Sequence, residues 1–147
     1  MRRNLKSLLL LLGLTIAAAG IAVSYPQRVN RPLPPALDRL SEAKRVEIKD
    51  QAGQIVLSGE FSTTSDTKTE TERTAMMTGA GTSNGKAEIE LVKAGGAFSK
   101  QEMEVALEGL AAAADFKLFV DDAEVFSFKT DKGGKAAMKF GSKNIKK

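Results

Sequence analysis

The chain contains no cysteine, no histidine and no tryptophan, and its single tyrosine is Tyr25. Each absence closes off some chemistry. Without cysteine no disulfide can staple the fold, which must rest on an apolar core, and no lipobox cysteine can carry a bacterial lipoprotein anchor. With neither cysteine nor histidine, the usual zinc and copper sites cannot be assembled. Ser-His-Asp and Cys-His catalysis fall with them, because both need the imidazole as base. Any enzyme built from this chain would have to use carboxylates, lysines or Tyr25. The lack of tryptophan removes the customary sugar-stacking platform and a favoured interface anchor. The expectation is a non-catalytic protein with no cofactor and no metal.

What is present is most pronounced at the N-terminus. Arg2, Arg3 and Lys6 precede an uncharged run from Ser7 to Gln27, Leu-rich first and Ala/Gly-rich later. A basic start followed by an apolar stretch, Leu8–Val23, is the pattern of a secretory signal. Two small-residue cleavage sites are visible, Ala17-Ala18-Ala19 before Gly20 and Ala22-Val23-Ser24 before Tyr25. The second is preferred, because it lies at the polar edge of the run and Pro26 would end a helix there. The alternative is an uncleaved anchor, since a spanning helix needs roughly 20 apolar residues. Either way the N-terminal charges favour the inner side. The rest of the chain is then extracytoplasmic, secreted or periplasmic.

Residues 1–24 also carry much of the basic character. Removing their three positive charges takes the net charge from +4 to +1, so the balance makes no case for nucleic acid. From Lys132 onward there are lysines and no acid, ending in Lys146-Lys147. Such a segment suits anionic lipid or polysaccharide, although a solvated terminus is the simpler reading.

Four segments follow from the pattern. Residues 1–24 are the signal or anchor helix. Residues 25–44 are a spacer holding all four prolines, in which Leu37, Leu40 and Ala43 suggest a short helix from Pro35 to Lys44. Residues 45–141 form the β domain, and 142–147 a basic tail. In the β domain the period is two. Val46 and Ile48 alternate with charged residues, as do Ala87, Ile89 and Leu91; Met103, Val105 and Leu107 keep the same period beside Glu102, Glu104 and Glu108, and Ala136, Met138 and Phe140 share it. Asp50-Gln51-Ala52-Gly53, Asp121-Asp122 and Asp131-Lys132-Gly133-Gly134 read as turns, and Asn84-Gly85 as a tight turn. Residues 62–72 read as a long exposed loop or loose edge strand. About seven or eight short strands with regular turns imply an antiparallel, Ig-like β-sandwich.

Four constellations invite a functional reading. Gly79, Gly81 and Gly85 miss the dinucleotide and P-loop spacings and suit a hairpin loop. Asp121, Asp122 and Glu124 supply oxygen ligands of the kind calcium takes, but not in an EF-hand pattern. Acidic turn residues account for them. Glu102, Glu104 and Glu108 share a strand face, and paired carboxylates can run glycan hydrolysis. A solvated outer face is the plainer account. Met76, Met77, Met103 and Met138 point to core filling. Phe116 and Phe119 differ in parity, so one of them is exposed or a bulge resets the register.

Leu57-Ser58-Gly59-Glu60, Gly85-Lys86-Ala87-Glu88-Ile89 and Val105-Ala106-Leu107-Glu108-Gly109-Leu110 together resemble chordin-type (CHRD) domains, which are exported β-sandwiches. The run from Phe116 to Phe140 also resembles a hairpin repeat of exported bacterial proteins. The resemblance implies a fold only. The histidines that such domains carry after the Gly-Leu turn are missing from Ala111–Phe116, so dismutase-like metal chemistry is not implied. The expected role is binding or structural support in the envelope or extracellular space. The partner would be an envelope protein or polysaccharide, with the membrane engaged through residues 1–24 if they are retained. Loops 62–72 and 79–85 at one end of the sandwich, or an open edge strand, would carry it. A membrane-tethered assembly component and a carboxylate-dependent glycan hydrolase are the alternatives.

Overall fold

The computed structural model describes residues 28–142. Ten strands account for most of them: β1 Val29–Pro32, β2 Arg45–Lys49, β3 Ile55–Glu60, β4 Ser62–Asp66, β5 Glu70–Gly79, β6 Asn84–Ala94, β7 Ala97–Glu108, β8 Asp115–Val120, β9 Ala123–Lys129 and β10 Ala136–Gly141. The all-β expectation holds. The ladder, however, runs unbroken in the order β1-β10-β7-β6-β5-β3-β2-β8-β9, with β4 paired to β5 off this path. It is one curled, open sheet, where the sequence pattern led to two stacked sheets. Every pairing is antiparallel except β1 with β10.

The two-residue period explains the curl. On β6, Ala87, Ile89 and Leu91 are buried while Lys86, Glu88 and Glu90 face outward. The same alternation on β7, β8 and β10 turns Met103, Val105, Leu107, Phe116, Leu118, Met138 and Phe140 to one side. A sheet apolar on one face only must cover that face, and this one curls over it. The two ends of the sheet approach each other. Phe126 of β9 meets Phe140 of β10 edge-on with ring centroids 5.7 Å apart, and the Arg31 guanidinium of β1 lies 5.5 Å from the Phe126 centroid.

The strand directions define two ends of the molecule. At the proximal end, where β1 begins, lie loops 50–54, 80–83, 109–114 and 130–135. At the distal end lie residues 33–44, the β4–β5 turn, the Gly95-Gly96 turn, the Asp121-Asp122 turn and Ser142. The helix expected from Pro35 to Lys44 is instead two single 3₁₀ turns, Pro35–Leu37 and Leu40–Glu42. Its three apolar residues still act together. Leu37, Leu40 and Ala43 are buried and plug the distal end of the core. The Arg73 guanidinium holds the plug by donating to the carbonyls of Leu40, Ser41 and Ala43.

One further expectation is corrected. Asn84-Gly85 is not a turn. It opens β6, pairing with Glu108 and Leu107, because the chain has already reversed at Ala80–Ser83, where Gly81 takes a positive φ of 66°. Of the two readings of residues 62–72, the loose edge strand holds: β4 pairs with β5 alone, and residues 67–69 turn the chain into β5. The expected N-terminal helix and the basic tail beyond Ser142 lie outside the described residues.

Candidate functional site

The acidic clusters singled out by sequence are occupied with structure. Asp121 and Asp122 adopt positive φ angles of 47° and 68° in the β8–β9 turn. The Asp121 carboxylate accepts the Lys44 and Arg45 backbone N–H groups at 2.9 Å, and Asp122 pairs with the Arg45 guanidinium at 2.7 Å. Glu124 turns to Lys117 and Ser127. The three carboxylates therefore serve different partners. Among the described residues no group of three or more acidic side chains is placed to hold a metal ion.

Glu102 and Glu104 project from the outer face of the sheet. Lys139 bridges them at 3.1 and 2.9 Å, Lys100 reaches Glu102 at 2.8 Å, and Arg28 reaches Glu104 at 3.3 Å. Burial pushes the Glu102 carboxyl up, but hydrogen bonds and charge from Lys100 and Lys139 outweigh it and hold the group below its ordinary range. A hydrolase needs one carboxyl raised enough to remain an acid at neutral pH. The lysines push this one the other way. Glu108 sits exposed at the end of β7.

The apolar candidates sort as follows. Met77, Met103 and Met138 are core, and only Met76 is exposed. Phe116 is buried and stacks on Phe128. A register shift between Leu118 and Phe119 accompanies the parity change, and Phe119 lies under the Lys49 ammonium, 4.3 Å from its ring centroid. The same lysine and Arg45 flank Glu47, a buried carboxylate on the outer side of β2. The exposed phenylalanine is Phe98, near the tip of the β6–β7 hairpin.

Among the open clefts of the described residues, one with a mainly apolar lining lies at the proximal end. β3 and β5 share only two register pairs, Leu57 with Gly79 and Ser58 with Thr78. Beyond them β5 turns away and β3 overshoots. Ile55 is left 54% exposed, and a notch of about 750 Å³ opens beside it. Val56, Leu57, Leu110, Ala111 and Phe116 contribute its apolar surface, and Gln51, Gln54, Thr78 and Ser83 are among its polar lining. Gly79 makes the notch possible: a Cβ there would collide with the Val56 carbonyl oxygen. The β7–β8 loop beside it is tied down by Thr130, whose hydroxyl donates to the Ala111 carbonyl at 2.6 Å and accepts the Ala114 N–H at 3.0 Å. A concave, mostly apolar site with a few polar groups is the usual form of a binding site. A period of two sets Ile55 on the same strand face as the buried Leu57, and only the offset between β3 and β5 leaves it in water.

The two loops expected to act together do not meet. Residues 67–69 and 80–83 flank opposite ends of β5, a strand of ten residues, which separates them by about 30 Å.

No family model, no curated protein and no solved structure matches the chain.

Proposed function

We propose that this chain is an exported, non-catalytic binding module of the cell envelope that engages its partner through the proximal notch. The observation that carries the reading is Ile55, a large aliphatic side chain left in water beside Leu110 and Ala111 in a cleft with polar groups in its lining. Exposed apolar surface in a concave, polar-edged setting marks interaction sites. The leader Leu8–Val23, read as a signal or anchor, supports the compartment. The chordin-type likeness bears only on the finer fold, and the binding role does not rest on it.

The test is a photo-activatable diazirine residue placed at Ile55 in the full chain in its native envelope, with Phe98 as the distal control. The expected outcome is an adduct with an envelope component from position 55 and none from position 98. Adducts from 98 alone would move the binding surface to the other end of the molecule.

A further inference from the structure

We infer that the proximal rim rests on a lipid bilayer, the one that holds the chain's own apolar leader. The inference takes the notch as the binding surface and names what covers it.

The first ground is reach. Val29 pairs with Met138 near the start of β10, so the described chain begins at the proximal end. Four residues separate Val23, the end of the apolar run, from Arg28. The five Cα–Cα steps between Val23 and Arg28, fully extended, span about 17 Å. With Leu8–Val23 in a bilayer, Arg28 and the rim beside the start of β1 lie within that distance of the lipid surface, whereas the distal hairpin tips need not.

The second ground is composition. The proximal loops carry Asp50, Asp131, Lys132 and Lys135 as charged residues, with exposed Glu108, Asp115 and Lys129 at the strand ends beside them, and otherwise present Ala52, Ala80, Leu110 and the alanines 111–114 among uncharged polar residues and glycines. Both loop acids are turned into their own turns. Asp50 accepts the Gln54 N–H at 2.9 Å, and Asp131 accepts those of Gly133 and Lys135 at 2.8 Å. The distal segments carry Asp38, Arg39, Glu42, Lys44, Lys68, Asp121 and Asp122. Of the two ends, the one the leader departs from is therefore the one least penalised at a lipid interface.

The third ground is strength. One isoleucine, one leucine and a few alanines would not hold a free domain on a membrane, where stable attachment takes two signals. A short tether raises the effective concentration to the order of mM, so a weak contact suffices and the leader is the second signal.

The test uses the cysteine-free full chain in vesicles of phosphatidylethanolamine and phosphatidylglycerol. Single cysteines at Ile55→Cys and Ala112→Cys (proximal) and at Lys68→Cys and Phe98→Cys (distal) carry an environment-sensitive fluorophore. All four positions are exposed, and two per end guard against one variant misfolding. The expected result is a blue shift and loss of fluorescence to a lipid-borne spin label at positions 55 and 112, with neither at 68 and 98. Equal or stronger quenching at the distal pair overturns the inference. Native-envelope crosslinking from Ile55 separates the two readings. A lipid adduct supports both. A protein or glycan adduct, or recovery of the chain in soluble form starting near Tyr25, overturns the bilayer while leaving the notch as a binding surface. No adduct of any kind overturns both.

Discussion

At Gly79 a Cβ would fall on the Val56 carbonyl, a backbone atom that cannot swing aside. At Gly53 a Cβ would meet nothing within 4 Å, although its φ is +79°. The two glycines therefore separate close approach from backbone freedom. Gly53→Ala is expected to cost about 1 kcal/mol, and Gly79→Ala about 2–4 kcal/mol through displacement of β3 from β5. Urea midpoints of the two variants check this, and equal losses would refute the close-approach account. Arg73 is the other residue on which a whole segment depends. Arg73→Met leaves three carbonyls of the distal plug without their charged donor. It is expected to cost about 2–3 kcal/mol and to speed hydrogen exchange at residues 37–43. If that exchange is unchanged, packing of Leu37 and Leu40 alone holds the plug.

Across strands, the outer face carries like charges in register: Glu72 opposite Glu90, Glu90 opposite Glu102, and Glu88 opposite Glu104. Such pairs are unfavourable, and Lys100 and Lys139 offset them on the β7 side. Each ammonium loses some solvation there, but hydrogen bonds to its carboxylates win and raise its pKa. On the β5 side, burial raises the Glu72 pKa, and repulsion from Glu70, Glu90 and Glu88 adds to it, with Lys86 offsetting only part. The two carboxyls thus have opposite linkage. Glu102, depressed in the folded state, contributes stability above its unfolded pKa, and that stability is lost as pH falls through the folded value. Glu72, raised in the folded state, carries a penalty above its folded pKa that is relieved as pH falls through it. At neutral pH Glu102→Gln is expected to destabilise and Glu72→Gln to stabilise, each by about 0.5–1 kcal/mol given partial exposure. Both effects should fade near about pH 3, where carboxyls protonate in either state. Denaturant titrations at the two pH values measure it, and a Glu72→Gln variant less stable at pH 7 would reverse the account.

For the molecule as a whole, the decisive contact is where the sheet's ends approach. β1 is exposed along its length and is joined by a short parallel ladder to β10. The side chains of Arg31, Phe126 and Phe140 span the approach. Phe126→Ala removes the ring from between them and is expected to cost about 3 kcal/mol. It should also speed exchange of the Leu33 amide, which donates to the Gly141 carbonyl, ahead of amides in β6 and β7. Unchanged exchange at Leu33 would mean that the ladder alone holds β1. Among the described residues no helix is long and apolar enough to cross a membrane.

Much of the β architecture was legible because a strand's two faces meet different solvents. Val46 and Ile48, Ala87 to Leu91, and Ala136 to Phe140 declare their faces by alternation alone. Leu37, Leu40 and Ala43 were legible as a unit, though not as 3₁₀ turns. The absence of cysteine and histidine limited the possible chemistry before any fold was known. What alternation cannot encode is the offset between strands distant in sequence. Whether Ile55 lies under β5 or beyond its end depends on where β5 turns, and Asn84-Gly85 becomes strand or turn according to its partner on β7. Whether Glu102 is an acid or an ion-pair partner depends on Lys139, which arrives from another strand. Local pattern set the faces of the strands. Only the tertiary structure decided their register, because register is a property of two segments at once, and the notch exists in the offset between them.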